Sequence, residues 1–142
     1  MKLVTRRSIL RVGGYLLMGS AGFAAVPDTS ILGKLSRSRD GSKPTLETND
    51  HKLIGLSGDD DTMGVLNDKR LLNSDFEAVG HFNSPAQFAI DGIYTRSMFV
   101  HKDGKRLMIT YWCDVCYIRT YTPGTCVCCQ KYTDLDLREH DD

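Results

Sequence analysis

Residues 94–116 read YTRSMFVHKDGKRLMITYWCDVC, and the middle of that stretch decides the local architecture. Asp103-Gly104 lies between two runs of strand-forming residues, Tyr94 to His101 and Lys105 to Cys113. Both central residues tolerate positive φ, which the tight turn of a two-residue β-hairpin demands. Side chains alternate across a strand, so the second arm carries Leu107, Ile109 and Tyr111 on one face and Met108, Thr110 and Trp112 on the other. That arm ends in Cys113. The hairpin therefore delivers a cysteine to one end of a sheet.

Upstream, Phe76 to Phe82 alternates as a strand, Gln87 to Ile90 forms another, and Leu53, Ile54 and Leu56 make a short third. Between them, Ser57-Gly58-Asp59-Asp60-Asp61 supplies a turn and an N-cap for a helix from Thr62 to about Leu72, with Met63, Leu66 and Leu72 facing inward. The three aspartates lack the alternating ligands, mid-loop Gly and closing Glu of a calcium loop, so they read as a solvated helix cap. Downstream, Lys131 to Arg138 gives a last strand with Leu135 and Leu137 on one side. The fold class that follows is α+β: a small, mainly antiparallel β domain over residues 51–142, with five or six strands, one short helix and a C-terminal zinc-ribbon-like cysteine loop.

All five cysteines of the chain lie between residues 113 and 129. Cys113, Cys116, Cys126 and Cys129 give C-x2-C-x9-C-x2-C, two pairs whose two-residue spacing lets both thiolates of a pair face one ion. Pro123-Gly124 suits the centre of a type II turn that would bring the second pair back towards the first. The spacer is shorter than the roughly 15 to 20 residues of common zinc ribbons, so the loop must curl. Cys128 is surplus, or it replaces one of its neighbours as a ligand. Four thiolates suit zinc in softness and geometry and leave a charge that Arg119 or Lys131 could offset. Iron or an iron–sulfur cluster, copper, and two disulfides without metal are the alternatives, the last favoured by an oxidising compartment. Trp112-Cys113-Asp114-Val115-Cys116 resembles the Trp-Cys-x-x-Cys site of thioredoxin-like proteins. Only 26 residues follow Cys116, too few for the rest of that fold, which leaves thiol exchange on a different scaffold.

The remaining candidates carry less. His51, His81, His101 and His140 are dispersed with no ligand-spaced pair and read as surface or half-buried structural histidines. Ser84, Asp91 and His101 have the residue types of a hydrolytic triad without a nucleophile elbow. No catalytic residue is predicted. With 142 residues the chain holds one domain, and 18 basic residues balance 18 acidic ones, so no net field draws it to nucleic acid. The aromatic residues near the cysteines read as packing, not as a stacking platform.

The amino end stands apart. Residues 1–24 carry Lys2, Arg6, Arg7 and Arg11 without an acid, then an apolar and small-residue run too short to span a membrane. Thr5-Arg6-Arg7-Ser8-Ile9-Leu10-Arg11 resembles the twin-arginine export motif of bacterial proteins, with Ile9 in place of the commoner Phe. The resemblance implies a cleaved signal, a periplasmic or otherwise extracytoplasmic mature chain beginning near Ala25, and passage in the folded state, often with a metal already loaded. Loss of that segment leaves 14 basic against 18 acidic residues. Residues 25–50 read as a flexible linker, because from Pro27 to Asp50 the chain is polar with only Ile31, Leu32, Leu35 and Leu46 as apolar relief.

Taken together, residues 52–138 resemble small, uncharacterised exported bacterial proteins that carry Tyr-Trp-Cys-Asp-Val-Cys, then Arg-Thr-Tyr-Thr-Pro-Gly, then Cys-x-Cys-Cys-Gln. The resemblance brings no activity with it. The expected function is an exported metal-binding module, with structural zinc, that works through a protein partner and is not itself an enzyme. Periplasmic thiol-redox, electron-transfer or metal-handling roles for the same cysteines are the alternative.

Overall fold

The Asp103-Gly104 turn forms as its residues dictate: φ is 53° at Asp103 and 75° at Gly104, the pair of positive values that matches strand twist in a two-residue hairpin. It joins β6 (Met98–Lys102) to β7 (Lys105–Cys113) in the register Phe99 to Met108 and Lys102 to Lys105. A computed structural model describes residues 28–92 and 96–139 of the chain. The signal-like segment at residues 1–24 lies outside the described residues, as do Tyr94 and His140.

The chain upstream of the hairpin contributes β1 (Thr29–Arg37), β2 (Pro44–Glu47), β3 (Leu53–Ser57), β4 (Asp75–Ser84) and β5 (Gln87–Ile90). Their pairings close on themselves: β1 with β2, β2 with β3, β3 with β5, β5 with β4, and β4 with β1. This ring corrects the linker expected at residues 25–50, because residues 29–37 and 44–47 are strands of the sheet. The segment has few apolar residues, but Leu35 and Leu46 are fully withdrawn from solvent and Ile31 packs at the edge of the core. Ser30 and Lys34 are exposed, the buried Thr45 hydroxyl is satisfied by Ser36, and β1 is hydrogen-bonded into β2 and β4. Two glycines permit the closure. A Cβ on Gly33 would collide with the Glu47 carbonyl, and one on Gly80 with that of Ala89, so the backbones approach at a distance only glycine allows. The pairing of β3 with β5 is parallel, Gly55 opposite Gln87, against an otherwise antiparallel sheet.

The helix starts where expected and stops early. α1 spans Asp60–Leu66, capped by the Asp59 carboxylate, which accepts from the Thr62 N–H at 2.8 Å. Asn67 ends it, and Asp68 caps a separate 3-10 turn at Lys69–Leu71 instead of continuing the helix to Leu72; short polar side chains that bond nearby N–H groups favour such a break. Val65, Leu66 and Leu71 enter the core, Met63 packs against it, and Leu72 is only half-buried. No described helix is long and apolar enough to cross a membrane.

Outside the ring, β4 pairs with β6, and β6 with β7. β7 also pairs with β8 (Ile118–Thr120) and β9 (Asp134–Glu139). Tyr111 faces Thr120 in β8 and Leu135 in β9, so those strands flank β7 on opposite sides. Ile109 and Tyr111 continue the core, with Leu135 and Leu137 packed against it. The architecture is mostly β with one short helix and a cysteine cluster at residues 113–129, the α+β class expected.

Candidate metal centre

Two chain reversals of one design carry the cysteines. β7 delivers Cys113, and the chain turns through Asp114 and Val115 so that the Tyr117 N–H donates to the Cys113 carbonyl at 2.9 Å. In the second reversal the Gln130 N–H donates to the Cys126 carbonyl, also at 2.9 Å. The residue after each second cysteine is left-handed, Tyr117 at φ 56° and Gln130 at φ 63°, and this turns the chain back after each pair. The second reversal tips a small hairpin, held by the Thr125–Tyr132 bridge and by the Cys126 N–H donating to the Lys131 carbonyl at 2.8 Å. Its base is fixed by Thr133, whose N–H and hydroxyl both donate to the Gly124 carbonyl. The expected type II turn at Pro123-Gly124 does not form; Gly124 has φ 146°, far from the roughly +80° that such a turn needs. The curl of the short spacer comes instead from the bends at Tyr121, Thr122 and Gly124.

The two reversals bring Cys113, Cys116, Cys126 and Cys129 together, with all four sulfurs within 4.8 Å of one another. Cys113 Sγ and Cys129 Sγ are 3.5 Å apart, and the Cys116 N–H reaches Cys113 Sγ at 3.4 Å. Cys113 and Cys126 are buried, Cys116 and Cys129 half-buried, and Cys128 exposed. Cys128 lies outside the foursome, and its thiol, with burial, pushes the Cys116 thiol up. Cys126 is held down at about 7 by the N–H groups of Cys129 and Cys128, with the Cys113 and Cys116 thiols adding to the effect. Backbone dipoles thus already favour a thiolate at the centre of the cluster. Such a group can hold a metal ion. No histidine belongs to it among the described residues; His101 bonds Glu77 Oε2 at 2.6 Å and His51 bonds Glu47.

Of the two cations expected to offset the cluster's charge, Lys131 stands nearer. Its ammonium bonds Asp114 Oδ1 at 2.9 Å, and its pKa is raised by Asp114 first and by Cys113 as a smaller contribution. Arg119 is committed elsewhere, bonding Thr110 and Asp136 and lying 4.9 Å from the Trp112 ring centre. After Cys116 the chain enters β8, not a helix, so the resemblance to a thioredoxin-type site does not extend past the four residues of the motif.

A buried brace links the 3-10 turn to this end of the sheet. Asp68 accepts from the Tyr111 hydroxyl at 2.9 Å and from the Arg70 guanidinium, which also donates to the Thr133 carbonyl at 3.0 Å. Burial works to raise the Asp68 carboxyl, but the Arg70 and Tyr111 hydrogen bonds outweigh it and leave the pKa lowered. Arg70 stacks between Tyr111 and Tyr132, 5.3 Å from each ring centre. Sequence reasoning did not single out Asp68 or Arg70; only the Asp68 cap was a local signal. Around the cluster, Val115, Tyr117, Tyr121, Val127 and Tyr132 are all exposed. No family model, curated protein or solved structure matches the chain.

Proposed function

We propose that Cys113, Cys116, Cys126 and Cys129 bind one structural zinc ion, in an exported accessory module whose working surface is the metal-held end of the sheet. The observation that carries this reading is the convergence of four sulfurs within 4.8 Å. In a tetrahedron with zinc–sulfur bonds of about 2.3 Å, neighbouring sulfurs lie about 3.8 Å apart, so the cluster closes on an ion with shifts under about 1 Å. Thiolate softness favours zinc over the hard cations. Four protein ligands leave no position for water or substrate, which supports a structural role over a catalytic one.

The surface around the site supports a binding role. Five large apolar or aromatic residues, Val115, Tyr117, Tyr121, Val127 and Tyr132, are exposed on the cysteine loops. Exposed side chains of this kind on a rigid platform fit a protein partner better than free solvent. Export rests on the Arg6-Arg7 segment and its apolar run. A centre of four thiols, open to oxidation outside the cytoplasm, benefits from loading before transport, which the twin-arginine route allows. The exposed Cys128 beside Cys116 is the feature that favours the second reading, thiol exchange.

Elemental analysis with thiol titration of the full chain purified from its native compartment decides between them. About one zinc per chain and a single reactive thiol is the expected result. Copper would reassign the protein to metal handling, and iron with visible absorption to electron transfer. Metal-free protein with two disulfides, or a fast thiol with reversible two-electron chemistry, would overturn the structural-zinc reading.

A further inference from the structure

Strand pairing leaves one long edge of the sheet open. Among the described residues, every strand of the ring has at least two neighbours, as do β6 and β7, whereas β8 and β9 pair only with β7. β8 has three residues and β9 has six. β9 carries neither proline nor bulge, devices that commonly close such an edge. Which of its groups face away from β7 follows from the hairpin. In a two-residue hairpin the flanking residues, here Lys102 and Lys105, exchange both main-chain bonds, so the odd-numbered residues of β7 bond towards β6 and the even-numbered ones towards β9. Thr110 thus bonds with Asp136, and its hydroxyl also donates to the Asp136 carbonyl at 2.5 Å. The N–H and C=O groups of Leu135, Leu137 and Glu139 therefore point outward. Thr133, the next outward residue, gives its N–H to the Gly124 carbonyl and its own carbonyl to Arg70, which ends the open stretch at Leu135.

A row of alternating donors and acceptors is filled by another strand, and the side chains select which one. Asp134, Asp136 and Arg138 share one face of β9, while Leu135 and Leu137 lie on the core side. In an antiparallel pair related by a twofold axis, only registers that set even residues opposite even ones keep like faces together. Centred on Asp136, such a pair opposes two Asp136 carboxylates and runs the second strand against Thr133, where Gly124 and Arg70 already hold the outward groups. Centred on Arg138, it opposes two arginines and joins only three residues of each strand. Centred on Leu137, it sets Asp136 opposite Arg138 twice, Leu137 opposite Leu137 and Leu135 opposite Glu139, and it fills the open stretch from 135 to 139 with no like charges opposed. Arg138 is exposed, and Arg119 bonds Oδ2 of Asp136, so Oδ1 is the oxygen that meets the second guanidinium. We propose that β9 pairs with β9 of a second copy of this chain, antiparallel about a twofold axis at Leu137, so that one sheet runs through both molecules. The two cysteine ends lie at opposite ends of this joint, so the dimer stands or falls independently of the metal.

Sedimentation equilibrium of the full chain from about 1 μM to about 1 mM, read together with amide hydrogen exchange, tests the joint. A monomer–dimer equilibrium is expected, and the amides of Leu135, Leu137 and Glu139 should gain protection of at least about tenfold as the dimer fills. Glu139→Pro removes an outward donor that the monomer leaves in water, and Arg138→Asp sets carboxylates against each other. Each should weaken dimerisation at least about tenfold, with circular dichroism unchanged. Arg138→Asp mixed with Asp136→Arg should pair again, as a heterodimer in which each cross-strand position regains an opposite charge. Where Asp136→Arg fails to fold, Glu139→Pro and the amide pattern carry the decision. The proposal is overturned by a chain that stays monomeric at about 1 mM, by a dimer whose new protection falls on the cysteine loops instead of β9, by folded Glu139→Pro or Arg138→Asp that dimerises like the parent, or by two folded charge variants that do not pair.

Discussion

In the ring formed by β1 to β5, Leu35, Leu46, Phe76, Ala78 and Phe88 are wholly withdrawn from solvent. Between residues 113 and 133, only Cys113, Cys126 and Thr133 are buried, and the large side chains of Val115, Tyr117, Tyr121, Val127 and Tyr132 stand in water. The ring is held by many small contributions of apolar burial, each side chain adding about 1.5 to 3 kcal/mol. The cysteine end buries far fewer side chains, and its order rests on the two cysteine turns, the Thr125–Tyr132 bridge and the Arg70 brace to Thr133. The same chain thus contains a region tolerant of any single modest loss and a region that, if the four cysteines hold the proposed ion, depends on one event.

On the proposed structural-metal reading, the sharpest way to break the comparison is to take the ion away. Cys116→Ser, or chelation of the parent, should release the ion and expose amides 113–133 to hydrogen exchange, while the ring stays protected. Structural zinc in small domains is worth on the order of 10 kcal/mol, so the local effect should be the largest of all. Simultaneous loss of protection in the ring would show that the two regions are one cooperative unit. Phe76→Ala attacks the other side. It should lower global stability by about 3 to 5 kcal/mol in denaturant titration, with metal content unchanged.

Acid should find the joint between the ring and the β6–β7 hairpin. Glu77 of β4 accepts from Ser30 of β1, His101 of β6 and Arg106 of β7. Burial alone would raise its carboxyl, yet the bonds from Arg106, His101 and Ser30 outweigh that and hold it down at about 2. A folded pKa below the unfolded value means that the stabilisation is present above about pH 4.5 and is lost as pH falls towards about 2; it amounts to roughly 3 kcal/mol. The stability difference between the parent and Glu77→Gln should therefore shrink across that window and stay constant above it. A difference that did not change with pH would remove the carboxylate from the account.

Smaller effects test the brace and the spare cysteine. Tyr111→Phe takes one donor from the buried Asp68 and should cost about 1 to 2 kcal/mol, with faster exchange at Thr133, whose carbonyl Arg70 holds. Cys128→Ser, at an exposed position outside the foursome, should change the melting midpoint by an amount equivalent to under about 0.5 kcal/mol and leave metal content intact. Loss of the ion from this variant would place Cys128 among the ligands.

How far the sequence could be read depended on how local the deciding forces were. Asp103-Gly104 announced its hairpin because the constraint on φ belongs to those two residues alone. Asp59 announced its cap for the same reason. Residues 29–47 hid two strands because their few apolar side chains find a core only once β4 and β3 lie alongside. The alternation of Ile31, Gly33 and Leu35 was the available signal, and the apolar Leu32 on the outward face masked it. Tyr117 and Gln130 hid the shape of both cysteine turns, since neither is the glycine that usually marks a left-handed position.

By itself the sequence determined the hairpin at residues 98–113, the mainly antiparallel α+β class and the identity of the four cysteines, all consequences of residue type and near spacing. Tertiary structure alone decided that β1 closes a ring with β2 and β4, that β3 runs parallel to β5, that Asp68, Arg70 and Tyr111 brace the cysteine end, and that Cys128 stands outside the foursome. Each of these joins residues distant in sequence, or depends on which way a side chain faces once such residues have met. No local preference encodes such meetings; they form only when the backbone hydrogen bonds and the apolar surface of the whole domain are satisfied together.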